Sequence, residues 1–260
     1  MKHGFPKVEV KNINSRIFLI GFALFLTVQG RSAVYRHPPD SLHAEQLIIV
    51  VTDNWTGVAA RLFCFEKQWG KWQLQFSFPA VVGQNGMATG EGIRSIVIPE
   101  APQKKEGDMK SPAGIFFLGP AFGYAEKSQA RWIHLPYIRA SDTLLCIDDP
   151  HSGMYNKLVR TDATKTDWHS HEEMHRKDDD YKWGIFVQHN DHSVKPSMGS
   201  CIFLHIWEGA QTGTAGCTAM EEKNMVKLLQ WIRVDKHPLL VQFPLIVYNK
   251  LHADYFLPDL

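Results

Sequence analysis

The chain has almost no charge imbalance, few cysteines, no internal repeat and no apolar run long enough to span a bilayer as a helix. Lys plus Arg is 28 against Asp plus Glu 27, a formal charge of +1, and no long basic run occurs. A near-neutral chain lacks the electrostatic footprint that nucleic acid requires, so no nucleic-acid partner is expected. Four cysteines, Cys64, Cys146, Cys201 and Cys217, are too few for a disulfide scaffold, although an oxidising compartment can still pair two of them. Sequence does not choose the pair. The longest apolar run near the start, Ile17 to Val28, falls well short of the ~20 residues a spanning helix needs.

What is present at the N-terminus has the order of a secretory signal. Lys2, His3, Lys7, Lys11 and Arg16 precede that apolar run, and small residues follow in QGRSA. Cleavage after Gly30 fits, with Val28 three places back. The reading is a signal over 1–30, a linker over 31–45, one domain over 46–250 and a tail over 251–260. The expected location is the periplasm or cell envelope, with membrane contact only through the signal before cleavage. Hydrophobic residues at 44% and charged residues at 21% make an ordinary globular balance.

From Gln46 the texture is strand and turn. LIIVVTD at Leu47–Asp53 reads as a buried strand, and Arg61–Glu66 and Lys71–Phe78 flank a Trp-Gly turn as a hairpin. RSIVIPE, GIFFLG, RWIHLPYI, TLLCID and GIFVQHN continue the pattern of short apolar runs cut by Gly, Pro and Asn. Such spacing predicts a mainly β, single-domain sandwich or barrel with a few short helices. The clearest helix follows Cys217, where Met225, Val226, Leu229 and Ile232 make one apolar stripe. LLVQFPLIVYN then returns to strand.

The chemistry concentrates between Gly199 and Met220, GSCIFLHIWEGAQTGTAGCTAM. An apolar strand carries His205 near its end. A glycine-rich turn leads to Cys217, and Thr218-Ala219-Met220-Glu221 fits the pattern of a capping box. With Thr218 as cap, Cys217 stands just before a helix N-terminus, whose dipole favours a thiolate. His205 takes the thiol proton, and the N–H groups of Gly216 and Cys217 are candidates for an oxyanion hole. Cys201 shares a strand face with His205 and is a rival nucleophile or disulfide partner, with core packing favoured. Cys64 and Cys146 read as core.

Two further groups carry weight. His171-Glu172-Glu173-Met174-His175 matches H-E-x-x-H, which on a helix would hold zinc; the dense charge around it favours a solvated polar segment. His189 and Asn190 end a strand, and Tyr155 and Asn156 lie in a polar stretch after Asp148-Asp149. With Thr218, they are candidate substrate-binding residues, although turn chemistry explains Asn and Asp-Pro equally well.

The segment GSCIFLHIW…GTAGCTAM resembles the active-site signature of the L,D-transpeptidase (YkuD-type) catalytic domain, a strand His followed by a Ser/Thr-x-Gly-Cys turn. The resemblance places the base on His205, the Ser/Thr position on Thr214, the glycine on Gly216 and the nucleophile on Cys217. Lys110-Ser111-Pro112-Ala113-Gly114-Ile115-Phe116 is similar to a second family strand. Ala215 stands where many members carry a second His, and Thr218 and Ala219 stand where Asn or Arg is common, which suggests a divergent subgroup. The resemblance implies an exported peptidoglycan enzyme that acylates its cysteine with a stem tetrapeptide and passes the acyl group to an amine. An L,D-carboxypeptidase, with water in the amine's place, is the alternative. A zinc hydrolase through the His171–His175 segment and a non-catalytic wall-binding domain rank lower. The chemistry implied needs neither metal nor organic cofactor; the implied partners are peptidoglycan stem peptides.

Overall fold

The computed structural model describes Met1 and residues 42–94 and 96–260. The expected signal and most of the expected linker lie outside the described residues. The remainder is mainly β, as the run spacing predicts. Thirteen strands and two α-helices follow in order: β1 Gln46–Thr52, β2 Ala59–Gln68, β3 Lys71–Val81, β4 Met87–Thr89, β5 Ser111–Gly123, β6 Tyr137–Arg139, β7 Leu144–Cys146, β8 Leu158–Arg160, β9 Glu172–Glu173, β10 Trp183–Val187, β11 Phe203–Ile206, β12 Thr218–Met220, α1 Glu222–Trp231, β13 Leu239–Pro244 and α2 Leu245–Leu251. No helix among the described residues is long and apolar enough to cross a membrane.

The large sheet runs β10-β11-β12-β3-β2-β1-β13-β5-β4, and a further pairing of β10 with β5 closes it into a barrel. At its centre every residue of β1 is buried, between antiparallel β2 and parallel β13. Two-sided cover explains the unbroken apolar run Leu47–Val51; each such side chain contributes about 1.5–3 kcal/mol relative to exposure. The two polar residues there are paired: the Gln46 amide donates to Trp231 O at 3.0 Å and Glu66 Oε2 at 3.1 Å and its oxygen accepts from Arg233 N at 2.9 Å, and Thr52 Oγ1 donates to Asn54 O at 2.8 Å. The β2–β3 hairpin turns at Trp69 and Gly70, with φ of 53° and 77°. Positive φ at both central residues matches the twist of the flanking strands.

The helix after Cys217 forms with Met225, Leu228 and Leu229 buried, and it packs against β10 and β11. Two expectations fail locally. LIVYNKL is helix α2 rather than strand, because the segment leaves the sheet at Pro244 and buries Val247 and Tyr248 on one helical side. RSIVIPE forms no strand among its described residues. The expected tail is packed: Trp72 Nε1 donates to Phe256 O at 3.1 Å and Tyr248 Oη to Pro258 O at 2.6 Å.

A separate three-stranded sheet, β8-β7-β9, stands beside the barrel. Polar loops hold its ends. The Asp149 carboxylate accepts from the backbone N–H groups of His151 and His169 at 2.9 and 2.8 Å, which keeps that carboxyl well below the usual range. A disulfide joins Cys146 of β7 to Cys201, just before β11. Packing was the expected role for both residues. In the structure their sulfurs tie the small sheet to the strand that carries His205.

Candidate active site

Strands β11 and β12 run parallel, pairing Leu204 with Thr218 and His205 with Ala219. Cys217 therefore precedes β12 at the level of Phe203, and the Phe203 N–H donates to its sulfur at 3.3 Å. The connection between the strands hugs the loop after β3. A Cβ on Gly213 would sit 2.5 Å from Gln84 Cα, so glycine there permits the contact. Gly216 has φ of +151°, and a Cβ there would meet Lys110 O at 3.2 Å, which makes it the hinge of the turn.

Two hydroxyls fix the Cys217 backbone. Ser111 Oγ and Thr214 Oγ1 donate to the Cys217 carbonyl at 2.7 and 2.6 Å. Ser111 Oγ also accepts from Gly83 N at 2.9 Å, which links the turn to β5 and to the loop after β3. The Ser/Thr position thus has a structural explanation: Thr214 closes the turn from inside and Ser111 from outside. Ser111 was not singled out as a site residue; its place in the Lys110–Phe116 segment was the available signal.

Cys217 is a free, buried thiol, and it lines a cleft of about 820 Å³ together with His205. The His205 Nδ1 lies 2.6 Å from Ile206 O. A carbonyl only accepts, so Nδ1 carries the hydrogen and Nε2 keeps its lone pair. Burial lowers the imidazole pKa to about 4, so the ring is neutral at pH 7. Among the described residues no hydrogen bond joins that ring to the sulfur; the thiol donates instead to Cys201 O at 3.6 Å.

Three local expectations are corrected. Thr218, Ala219 and Met220 form β12, inserted between β11 and β3, and α1 begins only at Glu222. Sheet pairing and complete burial of Ala219 override the local capping pattern. The N-cap is Glu221 with no side-chain cap, and Thr218 Oγ1 instead donates to Gln242 Oε1 at 2.6 Å. No helix terminus therefore adjoins Cys217. Its thiol pKa is raised well above the ordinary value, first by burial and then by the negative charge of Glu172. The resting sulfur is protonated. Finally, the Gly216 N–H is engaged by Thr214 Oγ1 at 3.1 Å, so it does not stand free as an oxyanion donor.

The substrate-side candidates lie apart from the cleft lining. His189 is fully buried, its pKa lowered by burial to about 4, with Nε2 3.1 Å from Met198 O. Asn190 donates to Lys195 O and Gly199 O at 2.9 and 3.1 Å. Asn156 donates to the carbonyls of His189 and Asn190 and accepts from Cys201 N at 2.9 Å. These amides brace the segment that ends at Cys201. Tyr155 is buried with its hydroxyl on the Glu106 carboxylate, and it is Glu106 that faces the cleft.

The His171–His175 segment is not a helix, so the lateral stacking a zinc motif requires is absent. Nor is it simply a solvated segment. Met174 is fully buried, and Glu172 and Glu173 sit on β9 and line the cleft. His175 Nδ1 lies 2.5 Å from Asp142 Oδ1. Tyr181, likewise missed in the sequence, donates to Glu172 Oε2 at 2.5 Å. Carboxylates outnumber cations in the cleft lining: Glu106, Asp148, Glu172, Glu173, Asp178, Asp180 and Glu208 stand beside Lys104, Arg176 and Lys177.

A family model described as the L,D-transpeptidase catalytic domain (YkuD) matches residues 48–242. The match takes in β11, the glycine turn and Cys217, and it ends on Gln242, the partner of Thr218. No curated protein matches. Among solved structures, "Structure of Bdellovibrio bacteriovorus Bd1075" matches at 15% identity with a TM-score of 0.41, over 84% of this chain and 57% of that one. The chain thus spans little more than half the length of that protein.

Proposed function

The chain belongs to the L,D-transpeptidase catalytic-domain family, and from that membership we propose that it is an exported peptidoglycan acyltransferase with Cys217 as nucleophile. The observation that carries this reading is the unpaired Cys217 thiol, held by two hydroxyls on its own carbonyl, in the same cleft as His205. The sulfur attacks the carbonyl of a diaminopimelate-type residue in a stem tetrapeptide, at an L-to-D peptide bond. The bond to the terminal D-residue breaks, its amine leaves protonated, and a thioester remains. A second stem's amine then attacks the thioester and releases the sulfur, giving a cross-link. His205, with a free lone pair on Nε2, is the acid–base group for these amines.

The acidic walls favour a cationic amine as the acceptor. Water in that role makes the enzyme an L,D-carboxypeptidase with the same residues. The test is incubation with disaccharide-tetrapeptide muropeptides and mass spectrometry, wild type beside Cys217→Ala. The expected result is a mass adduct on the wild-type protein and a cross-linked dimer, both absent from the variant. A trimmed tripeptide with no dimer assigns the carboxypeptidase. Identical behaviour of the two proteins removes the catalytic reading.

A further inference from the structure

The loop over 104–110, just before β5, contributes one lip of the cleft and carries Glu106 into its lining. The loop is fixed from within. Lys104 Nζ donates to Asp108 Oδ1 at 2.6 Å and to Lys105 O at 2.7 Å, and the Asp108 carboxylate accepts from Lys105 N and Lys110 N at 2.8 and 2.9 Å. Glu106 is held by two hydroxyls on a single oxygen: those of buried Tyr155 and Ser200 both donate to Oε2, the latter at 2.8 Å. Its backbone N–H donates to Ser197 O at 2.9 Å. The other oxygen, Oε1, has no partner among the described residues. Nor does a cation of the lining compensate it. Lys104 pairs with Asp108, Arg176 pairs with Asp178 and Asp180, and Lys177 makes no ion pair with Glu106. The residue after Ser200 is Cys201, whose carbonyl accepts the Cys217 thiol hydrogen. Two consecutive residues thus hold the carboxylate and the sulfur in one cleft.

We propose that Glu106 selects the acyl donor: its free oxygen binds the side-chain ammonium of the diamino residue whose carbonyl Cys217 attacks. The proposal rests on the acyltransferase reading and deepens it by naming the residue that recognises the donor. A carboxylate only accepts hydrogen bonds, so with Oε2 engaged by hydroxyls, Oε1 is open to a donor, and an uncompensated negative charge favours a cationic one. One oxygen is too few ligands for a resident metal ion, whereas it suits a primary ammonium. The two hydroxyls and the braced loop set that oxygen before the ligand arrives, which lowers the ordering cost of binding. Pairing with a carboxylate also stabilises the protonated amine, which has no lone pair to attack with. The acceptor amine must lose that proton before it can open the thioester. The amine held at Glu106 is therefore the one that does not react.

The test compares two disaccharide-tetrapeptide donors, one with the side-chain amine of its diamino residue free and one with that amine acetylated, in single-turnover thioester formation. Wild type should need about 10- to 100-fold more of the acetylated donor to reach its half-maximal rate. Glu106→Gln keeps the shape and an oxygen for both hydroxyls but removes the charge. It should need as much free-amine donor as wild type needs of the acetylated one, and should treat the two donors alike to within about twofold. Tyr155→Phe removes one brace and keeps the charge, so it should still prefer the free amine. A native Cys146–Cys201 bond and the melting temperature check the fold. Should Glu106→Gln fail these checks, Glu106→Asp, which withdraws the carboxylate by one methylene, takes its place and should show a reduced preference. The assignment is overturned by equal wild-type responses to the two donors, by a preference retained in the Glu106 variant, or by a loss confined to transfer onto the acceptor. Each of those results includes a wild-type thioester, so only the donor assignment falls. If wild type forms no thioester with either donor, the acyltransferase reading falls and takes the assignment with it.

Discussion

The closed barrel and the small β7-β8-β9 sheet are built on opposite principles. The barrel's central strands are apolar and buried on both faces, as β1 and β13 show, and its few interior amides are fully paired. The small sheet is short, and its surrounding loops are organised by carboxylates accepting backbone N–H groups and hydroxyls, as at Asp149 and Asp167. One disulfide ties it down. The barrel therefore sets where Cys217 sits, whereas the small sheet contributes Glu172 and Glu173 to the cleft wall. Packing places the thiol, and a tethered appendage supplies part of the charge around it.

The comparison can be broken from the barrel side with the largest effect. Phe116→Ala should lower global stability by about 3–5 kcal/mol, read by denaturant unfolding, because the ring is fully buried. Replacing Cys146 and Cys201 together by Ala should cost about 2–4 kcal/mol. Here limited proteolysis should cut within 147–182 before the barrel opens. A single transition with no preferential cutting would mean that the small sheet is integral to the barrel.

The Glu172 carboxyl sharpens the contrast through pH. Its folded pKa is raised from 4.5 to about 7, so the folded state holds the proton more tightly than the unfolded one. That contribution is present below about 4.5 and is lost as pH rises through about 7. Glu172→Gln should remove the loss and leave the protein more stable than wild type at pH 8, by about 2 kcal/mol. Melting temperatures of both proteins between pH 5 and 9 are the check. Ser111→Ala should have the smallest effect on stability, about 1–2 kcal/mol. Its effect on thioester formation should exceed that of removing any hydroxyl in the small sheet, because it frees the Cys217 carbonyl.

The barrel was largely legible in the sequence, whereas of the small sheet only β7, within TLLCID, was. Runs such as Leu47–Val51 and the hairpin about Trp69-Gly70 carry their burial in their own pattern. The stripe from Met225 does the same for α1. Residues 147–173 have no comparable pattern, since their order comes from backbone bonds to Asp149 and Asp167, which are set by loop geometry. Cys217, His205, Thr214 and Gly216 stand out in the sequence because one contiguous segment holds them, and in the structure all four line one cleft. Glu172 and Tyr181 come from outside that segment and join the cleft only through the fold. The capping pattern at Thr218 misled for a related reason: Ala219 and Met220 answer to β11 and β3, not to the helix that follows.

The bond between residues 146 and 201 also bears on how the buried Cys217 thiol stays unpaired. Cys201 is the nearest cysteine to Cys217 in the sequence, and its carbonyl accepts the Cys217 thiol's hydrogen. Left reduced, it would be the ready partner for a mispaired, dead-end product. Engaged with a residue from another sheet, it is taken out of circulation, and the only other free sulfur, Cys64, is sealed inside the barrel.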